Sequence, residues 1–162
     1  MSIYTKILVG VDGSDHSLKA LATGVSMAKQ FGAELFVFHS VRHHYNLPVF
    51  PLAPAMGMQS PMMYNSVNED SLREMYQESG RQILDQARQA VEEQDPEFAE
   101  SVTYILETEL APHEYVESFV KENGVDLVIV GCYGHHSGVK HLTGTVATRI
   151  LNTAPCQVLV VR

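Results

Sequence analysis

Five short apolar runs, each separated from the next by a stretch with helical spacing, restrict this chain to very few folds. The runs are 7–11 (Ile-Leu-Val-Gly-Val), 35–38 (Leu-Phe-Val-Phe), 102–106 (Val-Thr-Tyr-Ile-Leu), 126–130 (Asp-Leu-Val-Ile-Val) and 158–161 (Val-Leu-Val-Val). They are too short for helices and lack the polar alternation of a strand with one wet face, which suits strands covered on both sides. Strands alternating with helices build a parallel sheet, because each parallel connection needs a right-handed crossover. The sequence therefore predicts an α/β fold: an open five-stranded parallel sheet with helices on both faces, Rossmann-like.

The stretches between the runs carry helix signals at their ends. Ser14 is placed to cap a helix bearing Leu18, Leu21, Ala22, Val25 and Ala28, and Gly32 to end it. Leu72, Met75, Tyr76, Ile83, Ala87, Ala90 and Val91 mark a second helix, with Glu69 and Asp70 in its first turn where the dipole favours them. Gly80 is expected to weaken that helix locally. Pro112 opens a third helix, carrying Val116, Phe119 and Val120 and closed by Gly124. A fourth carries Val146, Ile150 and Leu151 until Asn152 and Pro155 stop it. The pattern fails only at 43–68, where four prolines (48, 51, 54, 61) and four methionines (56, 58, 62, 63) predict an irregular insertion arching over a sheet edge. With no internal repeat, residues 1–162 read as one domain.

Charge and composition exclude several roles. A formal net charge of −8 argues against a general nucleic-acid or anionic-membrane surface, so any anion site must be local. The chain has no run of 18 apolar residues and no signal-like start, so neither membrane insertion nor export is expected and a cytoplasmic location follows. Its two cysteines cannot make a disulfide framework, and if Cys132 ends one parallel strand while Cys156 begins its neighbour, they sit at opposite ends of the sheet; free thiols are expected.

Chemistry concentrates after the fourth run. Gly131 and Gly134 follow the strand, nine residues separate Gly134 from Gly144, and Thr145 comes next as a helix begins. Glycines let backbone N–H groups approach a ligand, and a helix N-terminus offers unpaired donors with partial positive charge. The plainer reading makes these glycines turn residues, but their full spacing between a buried strand and a helix favours a phosphate loop. Neither a P-loop nor the Gly-x-Gly-x2-Gly fingerprint is present.

The pattern Gly-x2-Gly-x9-Gly-Ser/Thr resembles the motif of the universal stress protein family, in its ATP-binding branch. Residues 6–12 followed by Gly13-Ser14, and residues 154–161, are similar to that family too. The resemblance implies the adenine nucleotide alpha hydrolase-like form of the fold, with strand order 3-2-1-4-5. It assigns phosphates to Gly131, Gly134, Gly144, Thr145 and Val146, and adenosine to Gly10, Val11, Asp12, Ser40 and Val41. The implied ligand is ATP, or AMP or ADP, with Mg²⁺. On spacing alone, Asp12 is a turn residue capping the first helix. His135 stands where relatives often carry arginine, and Ala147 where many carry a hydroxyl.

Eight histidines raise a metal reading: His39, His43 and His44 follow the second run, and His135, His136 and His141 lie in the glycine loop. No ligand spacing such as His-Glu-x2-His occurs, so solvated loop histidines are the expectation. The reading is an ATP-binding regulatory or stress-response protein with little or no hydrolysis. A slow ATPase and a nucleotide-free dimeric interaction protein are the rivals. The loop has no Walker lysine and no evident water-activating base. An apolar edge strand at 158–161 predicts a homodimer through that edge, as the resemblance also implies. The protein partner is not legible.

Overall fold

A computed structural model describes residues 2–42, 69–133 and 143–162. The expected insertion at 43–68, with His43 and His44, lies outside these residues. So do Gly134, His135, His136 and His141 in the glycine loop.

The described chain runs β1 (Lys6–Gly10), α1 (Asp15–Phe31), β2 (Glu34–Ser40), α2 (Glu69–Gln94), α3 (Pro96–Ala99), β3 (Thr103–Glu107), α4 (Pro112–Asn123), β4 (Leu127–Gly131), α5 (Thr145–Thr153) and β5 (Gln157–Val161). The five strands form one parallel sheet in the order β3-β2-β1-β4-β5, as expected. The alternation of β1 shows why both faces had to be apolar. Ile7 and Val9 point into a core with Leu21, Val25, Leu84 and Val91 of α1 and α2, whereas Leu8 points into one with Val116, Val120 and Ile150 of α4 and α5. Ile7, Leu8 and Val9 are all fully buried, each contributing about 1.5–3 kcal/mol of transfer free energy.

Helix ends follow the sequence signals. Ser14 is the N-cap of α1 and accepts from Ser17 N–H at 3.3 Å, and Gly32 ends the helix in the left-handed conformation at φ 67°. Pro112 opens α4 and Gly124 ends it. The short α3 was not foreseen; Asp95 caps it by accepting from Phe98 N–H at 3.0 Å.

Two expectations need correction. Leu18, Val146 and Leu151 point outward rather than into the core, because the buried stripes run through Ser17, Ala20 and Leu21 in α1 and through Ala147 and Ile150 in α5. His39 is the second, since it belongs to β2 and is only 2% exposed. Gly80 has a packing duty besides its cost in helix propensity: a Cβ there would lie 2.6 Å from Leu106 Cδ1 and 2.7 Å from Val41 Cγ1, so the missing side chain lets α2 settle onto β2 and β3.

At the sheet's amino edge the Asp126 carboxylate accepts from Thr5 N–H at 2.6 Å, Thr5 Oγ1 at 2.7 Å and Lys6 N–H at 3.0 Å. The Thr5 hydroxyl and these amides hold its pKa below the ordinary carboxylate value. Both cysteines are free thiols, and burial pushes the Cys156 thiol up, making it a weak nucleophile. Among the described residues no helix is long and apolar enough to cross a membrane.

Candidate functional site

The chain winds from β1 outward to β2 and β3 on one side, then crosses back to β4 and β5 on the other, so strand order reverses between β1 and β4. Ligands of open α/β sheets bind at such a reversal, beyond the carboxyl ends of the strands. Gly10 pairs with Val130, which brings Val11, Asp12 and Gly13 beside Gly131, Cys132 and Tyr133. The Ser14 hydroxyl joins the two loops, 3.3 Å from the Tyr133 carbonyl.

Asp12 braces the start of α1. Its Oδ1 accepts from Ser14 N–H at 2.9 Å and from the Ser14 hydroxyl, while its own N–H donates to Ser17 Oγ at 3.3 Å. Gly13 has φ 80°, which glycine alone adopts without strain, so Asp12-Gly13-Ser14 is a tight turn handing β1 to a capped helix. The turn role read from spacing is present, with Ser14 as the cap itself.

Gly131 has a packing duty. A Cβ on it would lie 2.8 Å from His16 C and Ser17 N, so α1 begins directly against the end of β4. The His16 and Tyr133 rings meet edge to face there, with centroids 5.1 Å apart. His16, Ser17 and Tyr133 were not singled out by sequence; the helix-cap pattern marked Ser14 alone.

The glycine loop returns to its origin. Cys132 N–H donates to the Val161 carbonyl at 2.7 Å, and the Cys132 carbonyl accepts from Gly144 N–H at 2.7 Å. That second bond fixes the beginning of α5 at the carboxyl end of β4. Gly144 is its N-cap, with φ −58° and ψ 154°, and among the described residues no side chain caps the helix. Thr145 and Val146 are exposed in its first turn. Their amides and that of Ala147 belong to the group that an α-helix leaves without internal partners, and they can hold an anion.

On the other side of β1, Ser40 and Val41 are buried at the end of β2. The Ser40 hydroxyl donates to the Leu110 carbonyl at 2.7 Å, and Val41 N–H donates to the Glu107 carbonyl at 3.0 Å. His39 Nδ1 lies 2.7 Å from the Val11 carbonyl. This histidine is a buried backbone partner, contrary to the expected solvated loop residue. Among the described residues no group of three or more His, Cys, Asp or Glu is disposed to hold a metal. Gly10, Val11, Asp12, Gly131, Gly144, Thr145 and Val146 thus border the β1–β4 reversal, while Ser40 and Val41 stand one strand away.

The comparisons with known proteins agree with this architecture. The model of the Universal stress protein family matches residues 3–162. Universal stress protein YxiE of Bacillus subtilis is 30% identical over 161 residues, covering 99% of this chain and all of that protein. Among solved structures, universal stress protein UspA from Lactobacillus plantarum superposes with TM-score 0.65 at 23% identity, covering 98% of each chain. The universal stress protein from Archaeoglobus fulgidus in complex with dAMP superposes with TM-score 0.62 at 17% identity, covering 99% of each. A family model spanning nearly the whole sequence, with a relative matched end to end, makes this chain a member of the universal stress protein family.

Proposed function

We propose that this protein binds ATP, or AMP or ADP in its place, across the β1–β4 reversal and acts as a nucleotide-dependent regulatory protein with little or no hydrolysis. The observation that carries this reading is the Gly144 N–H to Cys132 carbonyl bond at 2.7 Å, which delivers the start of α5 to the end of β4 beside the β1 loop. Phosphates take the amides of Thr145 and Val146, while Gly131 and Gly144, the latter through its bond to Cys132, hold the two described ends of the loop. Adenosine takes Gly10, Val11 and Asp12, with Ser40 and Val41 at its far side. The fold neighbour whose structure is in complex with dAMP supports an adenine nucleotide as the ligand class.

Mg²⁺ takes oxygen ligands in octahedral geometry and is commonly held through substrate phosphates. The donor set fits that mode: near the start of α5 the described residues offer the Thr145 hydroxyl and no carboxylate cluster. Mg²⁺ would be held mainly by the nucleotide's phosphates, with the Thr145 hydroxyl as the nearby protein oxygen, and would supply neutralisation of phosphate charge there. The Asp12 carboxylate is engaged by the Ser14 turn, which favours a binding role over that of a water-activating base.

The reading includes one domain over 1–162, a cytoplasmic location, a homodimer through β5 and an unidentified protein partner. Calorimetric titration with ATP and Mg²⁺ tests it, with Gly144→Val as the control. Saturable binding by the native chain that the folded variant lacks is expected; equal heats from both refute the phosphate assignment.

A further inference from the structure

The β1–β2 ladder ends at the pair Gly10–Phe38, yet Val11, the next residue, remains tied to β2 through both of its backbone polar groups. Its N–H donates to the Phe38 carbonyl at 2.9 Å. Its carbonyl lies 2.7 Å from Nδ1 of His39. A carbonyl only accepts, so Nδ1 carries the proton and the imidazole donates. A side chain thus supplies a donor just past the last ladder pair, where β1 must turn away into Asp12-Gly13-Ser14.

The surroundings give that ring little freedom. His39 is 2% exposed, and α2 passes close above it: a Cβ on Gly80 would stand 3.2 Å from His39 Cδ2 and 2.7 Å from Val41 Cγ1. Glycine at position 80 lets α2 come this close to Val41 and to the His39 ring. The held carbonyl belongs to Val11, whose amide neighbour is Asp12, and both stand at the adenosine end of the crevice.

We infer that His39 is a positioning residue of the nucleotide site: its Nδ1–H fixes the Val11 carbonyl and thereby the pose in which Val11 and Asp12 meet base and ribose. This rests on the nucleotide-binding reading above and adds a residue that does not itself touch the ligand. Asparagine places an amide nitrogen close to the position of Nδ1, so it keeps the anchor. Leucine fills similar space and removes it.

The test is calorimetry with adenosine and with ATP on the native chain, His39→Asn and His39→Leu, with ¹⁵N NMR of the native imidazole. His39→Asn should bind both ligands within about twofold of the native chain. His39→Leu should bind both about tenfold more weakly, the equivalent of one hydrogen bond, with the ratio of ATP to adenosine affinity unchanged because the phosphate end is untouched. Nitrogen shifts should report a proton on Nδ1. Native-like adenosine binding by folded His39→Leu, or a His39→Asn no better than leucine, overturns the inference. So does an Nε2–H tautomer in the native chain, a result that needs no variant to fold. A native chain that binds neither ligand overturns the nucleotide reading first, and the positioning role with it.

Discussion

Gly131→Ala isolates what the first glycine of the loop does. The new methyl would lie 2.8 Å from His16 C and Ser17 N and 3.0 Å from His16 Cβ. Carbon contacts are comfortable at about 3.5–4.0 Å, so the end of β4 and the start of α1 must separate by about half an ångström or more. The two nearest atoms are backbone, and no rotamer change relieves them. Overpacking of this kind costs about 1–3 kcal/mol, while alanine's smaller unfolded-state entropy returns about 0.4–1 kcal/mol. Two backbone contacts at 2.8 Å put the clash in the upper part of that range, about 2–3 kcal/mol, leaving a net loss of about 1–2.6 kcal/mol, or roughly 2–10 °C in Tm for a chain of this size. Urea and thermal unfolding followed by circular dichroism measure it, with an unchanged urea m-value. A variant as stable as the native chain would show that the methyl fits and that α1 does not seat against β4. Displacing α1 also strains the 3.3 Å contact from Ser14 Oγ to the Tyr133 carbonyl. Weaker ATP binding by this variant would therefore not by itself identify a phosphate contact.

Three further outcomes are expected. Asp126→Asn should destabilise the protein at neutral pH: the depressed folded pKa makes the carboxylate's contribution fully present above the unfolded value near about 3.9. It is lost as pH falls through the lower folded value, so the native and variant unfolding curves should converge in acid; a constant gap from pH 7 downward would disprove the linkage. Light scattering at micromolar concentration should give a dimer mass, because β5 is an edge strand whose valines are only partly buried; a charged Leu159→Lys edge should dissociate it, and a monomeric native chain refutes the β5 interface. Phosphate release with ATP and Mg²⁺ should stay below one turnover per hour-scale assay, on the order of a stoichiometric background; sustained turnover lost in Asp12→Asn would make the protein an ATPase.

The fold was legible because burial on both faces leaves few alternatives. Runs such as Leu8-Val9 and Val128-Ile129 send neighbouring side chains into different cores, so continuous apolarity was itself the signal. Strand order was not legible from spacing, since any order compatible with right-handed crossovers satisfies the same pattern, and it came only with the family resemblance. Helix faces were read less well. Leu18 and Leu151 fit a helical period by hydrophobicity, but small residues such as Ala20 and Ala147 sit against the sheet and leave the larger ones outside. Of the site, Asp12 and Ser14 could be found because turn chemistry is local. His39 could not: its role depends on β1 lying beside β2 and on α2 passing over it, neither of which a single sequence window contains. The packing duty of Gly80 was not legible for the same reason, since a glycine that only costs helix propensity and one that also admits a neighbouring strand look alike in sequence.

The two helices that meet at the crevice begin differently, and the difference bears on which end receives an anion. The first turn of α1 is closed by its own chain: Ser14 accepts from Ser17 N–H, and Asp12 braces Ser14. The first turn of α5 has glycine at the N-cap and, among the described residues, no side-chain cap. Positive φ does not explain that glycine, because φ −58° with ψ 154° is open to any residue. What glycine contributes is the absence of a side chain over the first amides, whereas serine, threonine or aspartate would take one of them internally. Gly144→Asp should therefore move stability and phosphate affinity in opposite directions. As a cap near the positive end of the dipole the carboxylate should stabilise the helix by about 0.3–1 kcal/mol. As a competitor and a like charge it should weaken ATP at least about tenfold, the equivalent of one charge-assisted hydrogen bond, with adenosine nearly unaffected. Calorimetry with both ligands, at low and high salt, reads the ratio directly. If Gly144→Asp leaves the ratio of ATP to adenosine affinity where it was, the phosphates do not sit on the start of α5, whatever else the crevice binds.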